Sequence, residues 1–209
     1  PKEQEARCIF EYIYFARPDS HIDGVSVYAS RIQAGRFLAM DSPVDADLVV
    51  GVPESGNAAA QGYALQSGIP YGTAFVKNGY VGRTFIKPKQ SSRESSVRVK
   101  LNVLAESVRG KRVIMIDDSI VRGTQLRETT EYLFESGAKE VHIRPACPPL
   151  VYGCKYLNFS RSNSEMELIT RNVIAELEGG DVSDEVLQEY ADYTSEKYQK
   201  LSLIHISEP

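Results

Sequence analysis

The chain has 209 residues, 42% hydrophobic and 25% charged, with a formal net charge of −4 at pH 7. That suits a globular protein with one good core and a small appendage. The acidic balance argues against a nucleic-acid partner, and no apolar run resembles a membrane span or a secretory leader, so neither a nucleic-acid nor a membrane role is expected.

The first element is aromatic and β-branched. Cys8-Ile9-Phe10-Glu11-Tyr12-Ile13-Tyr14-Phe15 predicts a strand through about Phe15, followed by a turn at Arg17-Pro18-Asp19-Ser20. Val25, Tyr28, Ile32 and Gly35 then share one helical face, through about Ala39, until Asp41-Ser42-Pro43 breaks the helix. Asp47 to Val52 is a strand, and Pro53-Glu54-Ser55-Gly56-Asn57 is a tight loop. An alanine-rich helix over 58–65 follows, stopped by Ser67-Gly68-Ile69-Pro70. Thr73 to Val76 is the next strand.

The stretch from Lys77 to Lys100 carries Lys77, Arg83, Lys87, Lys89, Arg93, Arg98 and Lys100 against the single acid Glu94. In an acidic protein that local excess suits a solvated surface or a contact with a polyanion. Val97, Leu101, Leu104 and Val108 predict a helical stripe, and Glu140 to Arg144 alternates like a strand, with His142 as a structural residue. Pro145 to Cys154 is a proline-rich exit. Ser164 and Glu167 have the form of a capping box for a helix ending at Glu178, before Gly179-Gly180. Asp181 to Tyr198 predicts a second, acidic helix with Val186, Leu187, Tyr190 and Tyr193 inward. Residues 201–209 do not continue that pattern and look like a truncated or foreign end. Pro1 in place of a methionine suggests a fragment, and three cysteines without a secretory signal suggest reduced thiols in a cytoplasmic protein.

The most informative stretch is Val113-Ile114-Met115-Ile116-Asp117-Asp118-Ser119-Ile120-Val121-Arg122-Gly123-Thr124. A short apolar run is too short for a stable helix and suits a strand buried on both faces of a parallel sheet. Leu126, Thr130, Leu133 and Phe134 then recur at helical spacing. Unpaired N–H groups at a helix start attract anions, and a glycine lets the backbone approach closely. Ser119, Gly123 and Thr124 therefore suit a phosphate, whereas Asp117 and Asp118 suit sugar hydroxyls or a hard cation such as Mg²⁺. A phosphorylated sugar with a metal satisfies both halves. The glycine spacing matches neither the Walker loop nor the dinucleotide fingerprint.

This string resembles the 5-phosphoribosyl-1-pyrophosphate (PRPP) signature of type I phosphoribosyltransferases. Cys-x-Phe-Glu-x-x-Tyr-Phe-Ala-Arg-Pro-Asp-Ser from Cys8, and Lys-Asn-x-Tyr-Val-Gly-Arg-Thr-Phe-Ile from Lys77, narrow the resemblance to the glutamine PRPP amidotransferase family. The resemblance implies an α/β fold with a central, mostly parallel sheet flanked by helices and a C-terminal helical extension. It implies a linking segment over 1–20 after a missing glutaminase domain, a phosphoribosyltransferase core over 21–150 and a helical hood over 151–200.

The same resemblance implies roles. Asp117 and Asp118 hold the ribose hydroxyls and Mg²⁺; Ser119, Val121, Arg122, Gly123 and Thr124 bind the 5-phosphate. Pro53, Glu54, Ser55 and Gly56 form the pyrophosphate loop, with Ser55 also at the Mg²⁺ site, and Lys77 and Arg83 belong to a lid. The reaction would join ammonia to PRPP, with purine nucleotides as feedback inhibitors of a homo-oligomer. Some family members hold a four-cysteine [4Fe-4S] cluster. Cys8 and Cys154 fall where two of its ligands lie, but the downstream Cys-x-x-Cys pair is absent. The alternatives are a type I enzyme that uses a nucleobase or orotate, and a PRPP-sensing regulator of the same fold.

Overall fold

The computed structural model describes residues 7–79, 101–154 and 168–202. A π-helical turn, Glu11–Phe15, comes first, followed by β1 (His21–Ile22), β2 (Val25–Ser26), α1 (Val27–Asp41), β3 (Leu48–Gly51), α2 (Gly56–Ser67) and β4 (Phe75–Lys77). Next are β5 (Leu101–Val103), α3 (Ala105–Val108), β6 (Arg112–Asp117), α4 (Thr124–Glu135) and β7 (Glu140–Pro145). The C-terminal helices are α5 (Ile169–Glu178), α6 (Asp184–Ala191) and α7 (Glu196–Ser202).

The centre is a parallel sheet in the order β3-β6-β7, with Leu48 opposite Val113, Gly51 opposite Ile116, and Asp117 opposite Pro145. The unbroken apolar run of β6 has a simple cause. Val113 and Met115 face Leu126 and Leu133 of α4 in one core, while Ile114 and Ile116 face Ala59, Ala60 and Tyr63 of α2 in the other. Both faces of the sheet are covered, so no residue from Val113 to Ile116 is left to be polar. A third cluster joins Val151 to Ile174, Leu187, Tyr190 and Leu201 of the C-terminal helices.

Helices α1 and α2 meet at small residues. A Cβ on Gly35 would collide with the Ala59 carbonyl, and one on Gly62 with the Ile32 carbonyl. That close approach selects the buried face of α1 as Val27, Arg31, Gly35 and Ala39, not the expected Val25, Tyr28 and Ile32 set. Val25 and Tyr28 are exposed. Ser26 caps the helix, its side chain accepting from the Ala29 N–H at 3.3 Å.

Several expected elements differ. Residues Glu11–Phe15 form a π-helical turn, not a strand, closed by the Ala16 N–H donating to the Glu11 carbonyl. The cause is Arg31, which is buried and donates from Nε to the Tyr12 carbonyl at 2.7 Å and from Nη2 to the Ala16 carbonyl at 2.9 Å. Those carbonyls find partners without a sheet neighbour, while Phe10 and Ile13 pack against Cys147. The stripe expected through Leu101 to Val108 is strand β5, paired antiparallel with β4, followed by the single turn α3.

The acidic helix expected from Asp181 to Tyr198 is divided between α6 and α7. Asp192 Oδ1 accepts from the Thr194 N–H and hydroxyl, and Ser195 Oγ accepts from the Tyr198 N–H, so the chain is turned and then recapped. Tyr193 lies in that break, 77% exposed, while Leu187 and Tyr190 are buried as expected. Phe134 is also exposed. Leu201 and Ser202 continue α7, and Leu201 is buried, contrary to the reading that the helical pattern had already ended. The N-cap of α5 is Leu168; the expected capping box over 164–167 lies outside the described residues.

Candidate active site

The C-terminal ends of β3 and β6 lie side by side, and each runs through a loop into a helix. After β6, Asp117 and Asp118 come directly from the strand. The Asp118 N–H donates to Asp117 Oδ1 at 2.8 Å, and Ser119 Oγ donates to Asp118 Oδ1 at 2.8 Å. Burial and the Asp118 charge push the Asp117 carboxyl up to about 7. Gly123 precedes α4 in the left-handed region, at φ 76°. Among the described residues, the backbone N–H groups of Ile120, Val121, Gly123, Thr124, Gln125 and Leu126 donate to no partner. The first bond into the helix runs from the Arg127 N–H to the Gly123 carbonyl. An acidic pair thus stands at the edge of open N–H donors, as cation and anion sites side by side require.

The second loop is fixed to the first by contact. The Val52 N–H donates to the Ile116 carbonyl at 2.8 Å. A Cβ on Gly56 would meet the same carbonyl and come within 3.3 Å of the Asp117 Cα. Glycine at position 56 therefore lets the start of α2 lie against the end of β6. The Pro53–Glu54 peptide within this loop is cis. Lys77, at the end of β4, places Nζ 3.5 Å from Glu54 Oε1, both side chains being exposed. The strands β4 and β5 flank the basic segment, of which Arg83 lies outside the described residues.

Ser55 and Asp118 lie on the wall of a cavity of about 1070 Å³ that continues past Arg31, Arg144 and Cys147 to Ile169 and Tyr198. The structure therefore brings together Asp117, Asp118, Ser119 to Thr124, Pro53 to Gly56 and Lys77 at adjoining strand ends. Arg31 was missed from sequence. Its guanidinium feels the Asp118 charge, and burial lowers its pKa. Its signal was an arginine between Val27 and Gly35 at four-residue spacing on the buried face of α1.

The cysteines are a different matter. Cys8 is exposed, Cys154 is half-buried, and Cys147 is buried with its thiol pushed up to about 12, chiefly by burial. A cubane cluster needs four thiolates or substitutes for them. Among the described residues no group of three or more His, Cys, Asp or Glu side chains assembles to hold a metal, so these residues do not fit a four-thiolate cluster. No described helix is long and apolar enough to cross a membrane.

Residues 33–147 match the model of the phosphoribosyl transferase domain. The chain belongs to the phosphoribosyl transferase domain family. Within it, the chain is similar to the amidophosphoribosyltransferase of Archaeoglobus fulgidus, 56% identical over 164 residues, 78% of this chain and 36% of that one. The amidophosphoribosyltransferase of Mycobacterium tuberculosis is 57% identical over 149 residues, 71% of this chain and 28% of that one. The chain thus spans about a third of the length of these curated relatives. Among solved structures it is similar to the allosteric regulatory enzyme of purine biosynthesis, with a TM-score of 0.70 and 42% identity over 96% of this chain and 46% of that one. The glutamine PRPP amidotransferase of B. subtilis, complexed with ADP and GMP, gives a TM-score of 0.70 and 45% identity over 90% of this chain and 43% of that one.

Proposed function

We propose that this chain carries out the glycosyl-transfer half of the amidophosphoribosyltransferase reaction. Ammonia displaces pyrophosphate from C1 of PRPP, giving 5-phosphoribosylamine, the first step of de novo purine nucleotide synthesis. The observation that carries the reading is the Asp117-Asp118 pair at the rim of the open N–H groups that begin α4.

The roles follow from charge. The N–H groups of Ile120, Val121, Gly123, Thr124, Gln125 and Leu126, with the Ser119 and Thr124 side chains, bind the 5-phosphate, and Gly123 lets the backbone come close. Asp117 and Asp118 take the ribose hydroxyls, and their charge favours the positive C1 that develops as the bond to pyrophosphate lengthens. Pro53 to Gly56 receive the pyrophosphate, and Lys77, drawn from Glu54, neutralises it as it leaves. Arg83 adds to that neutralisation and helps to exclude water. Ammonia is already nucleophilic, so positioning and electrostatics suffice without a covalent intermediate.

A divalent cation fits the pair, because burial and the adjacent Asp118 charge raise the Asp117 carboxyl, and a bound cation would offset both. Asp117, Asp118 and the Ser55 hydroxyl would hold it. Bound Mg²⁺ supplies charge neutralisation to the pyrophosphate oxygens.

In the intact enzyme the ammonia would come from glutamine through a glutaminase domain preceding residues 1–20, with 21–150 as the catalytic core and 151–200 as a hood. The same reading places the protein in the cytoplasm as a homo-oligomer inhibited by purine nucleotides. The nucleotide complex of the B. subtilis relative supports that last point. The test is pyrophosphate release from Mg²⁺–PRPP, with ammonia, adenine, hypoxanthine, uracil and orotate assayed in parallel. Stimulation by ammonia alone is expected. Stimulation by a base instead would make this a base-specific transferase, and saturable PRPP binding without turnover would point to a regulator.

A further inference from the structure

One contact ties the C-terminal helices to the β6–α4 loop. The Ile169 N–H donates to the Val121 carbonyl at 2.9 Å. The side chain of the same residue lies against Gly123, where a Cβ would come within 2.6 Å of Ile169 Cδ1. Ile169 is the first residue of α5, so its N–H is one of the donors that the helix cannot use itself. Within a trans peptide, the carbonyl of one residue and the N–H of the next point in opposite directions. Holding the Val121 carbonyl toward α5 therefore turns the Arg122 N–H away from α5. Packing on Gly123 restrains the left-handed residue from which α4 starts.

We infer that Ile169 is a positioning residue for the 5-phosphate site. Its N–H holds the peptide between Val121 and Arg122, and its side chain holds Gly123, in the form that receives the anion. The inference rests on the reading of this loop as the 5-phosphate site, and it adds that the helical extension preorganises that site. A loop held in its bound form before the ligand arrives loses less entropy on binding. The effect should be confined to the phosphate end. The pyrophosphate loop is braced independently, by the Val52 N–H on the Ile116 carbonyl and by Gly56 against β6.

The geometry offers a selective substitution. Ile169→Pro removes the N–H at the helix position where proline is best tolerated. Leu168 already has φ −76° and ψ 121°, which suits a residue before proline. Ile169→Val keeps the N–H but loses Cδ1, the atom nearest Gly123, and Ile169→Ala keeps the N–H and removes the rest of that contact as well. All variants are made in the full 209-residue chain. Titration calorimetry then measures ribose 5-phosphate, which reads the phosphate loop, and Mg²⁺–pyrophosphate, which reads the other loop.

Ile169→Pro should weaken ribose 5-phosphate about 10-fold, on the scale of one lost hydrogen bond, and leave pyrophosphate unchanged. Ile169→Ala should weaken ribose 5-phosphate about 3-fold, in keeping with a modest packing loss, and Ile169→Val, which loses only Cδ1, should weaken it by less. A folded Ile169→Pro protein with wild-type affinity for ribose 5-phosphate overturns the inference. If the proline variant does not fold, unchanged ribose 5-phosphate affinity in Ile169→Ala does so instead. Equal weakening of both ligands also overturns it, since that is what general destabilisation produces. Failure of the wild-type chain to bind ribose 5-phosphate at all would instead overturn the reading of the loop, and the inference with it.

Discussion

Replacing Asp117 with Asn should make the ligand-free protein more stable, and increasingly so as pH rises. In the folded chain, burial and the Asp118 charge hold the Asp117 carboxyl near 7, against an ordinary 3.8. Between those values the folded chain retains a proton that the unfolded chain has released. The contribution of Asp117 to stability is therefore fully present below about 4, and is lost as pH rises to about 7. At about 1.4 kcal/mol per pH unit, that interval amounts to about 4 kcal/mol.

Asn keeps the shape, and its side-chain oxygen can still accept from the Asp118 N–H, but it brings no charge. Urea unfolding of both proteins at pH 5 and pH 8 reads the difference directly. The variant should gain at least about 2 kcal/mol over wild type between the two conditions. An equal stability difference at both pH values would refute the reasoning. Mg²⁺–PRPP should then reverse the order at pH 8, stabilising the wild type by mass action and the variant much less.

Asp118→Asn, at the buried end of the pair, should lower ammonia-dependent turnover by roughly 100-fold or more while the melting temperature stays close to wild type. Unchanged kinetics would remove this carboxylate from the mechanism. Lys77→Ala should change unfolding free energy by no more than about 1 kcal/mol, since its pair with Glu54 is exposed, yet weaken pyrophosphate in calorimetry. Gly35→Ala should cost about 3 kcal/mol or more in urea unfolding, because the new Cβ meets the Ala59 backbone and not a side chain that can turn aside. At pH 8 a thiol reagent should modify exposed Cys8 rapidly. It should reach Cys147 only after denaturation, since that thiol is buried and held up to about 12.

The two strand-loop-helix units at the candidate site were legible because their signals are local. The apolar run into Asp117-Asp118, and the Pro53 to Gly56 loop before an alanine-rich helix, each contain their own strand, turn and helix start. They occupy β6–α4 and β3–α2 as expected. Residues 8–15 were misread because aromatic and β-branched composition reports a liking for burial, and a π-helical turn can satisfy that as well as a strand. What decided the matter was Arg31, in another element. Leu101 to Val103 was misread for a related reason: it pairs with β4 across the intervening basic segment, and helical spacing among a few apolar residues is weak evidence against a distant partner. On α1 the apolar residues were counted correctly as helical, but the glycine and alanine contacts with α2 chose a different face.

The pairing of β3 with β6 has a metric consequence. Neighbouring strands stand about 4.8 Å apart, and with Gly51 opposite Ile116 the two loops leave the sheet from adjacent positions. The sheet thus works as a ruler for whatever touches both loops at once. A molecule whose anionic groups flank a single five-membered ring is on that scale, and one with a second ring between them would overshoot. Side chains in either loop can alter how tightly each end is gripped. The length being measured belongs to the backbone pairing, so only a change in strand order could alter it.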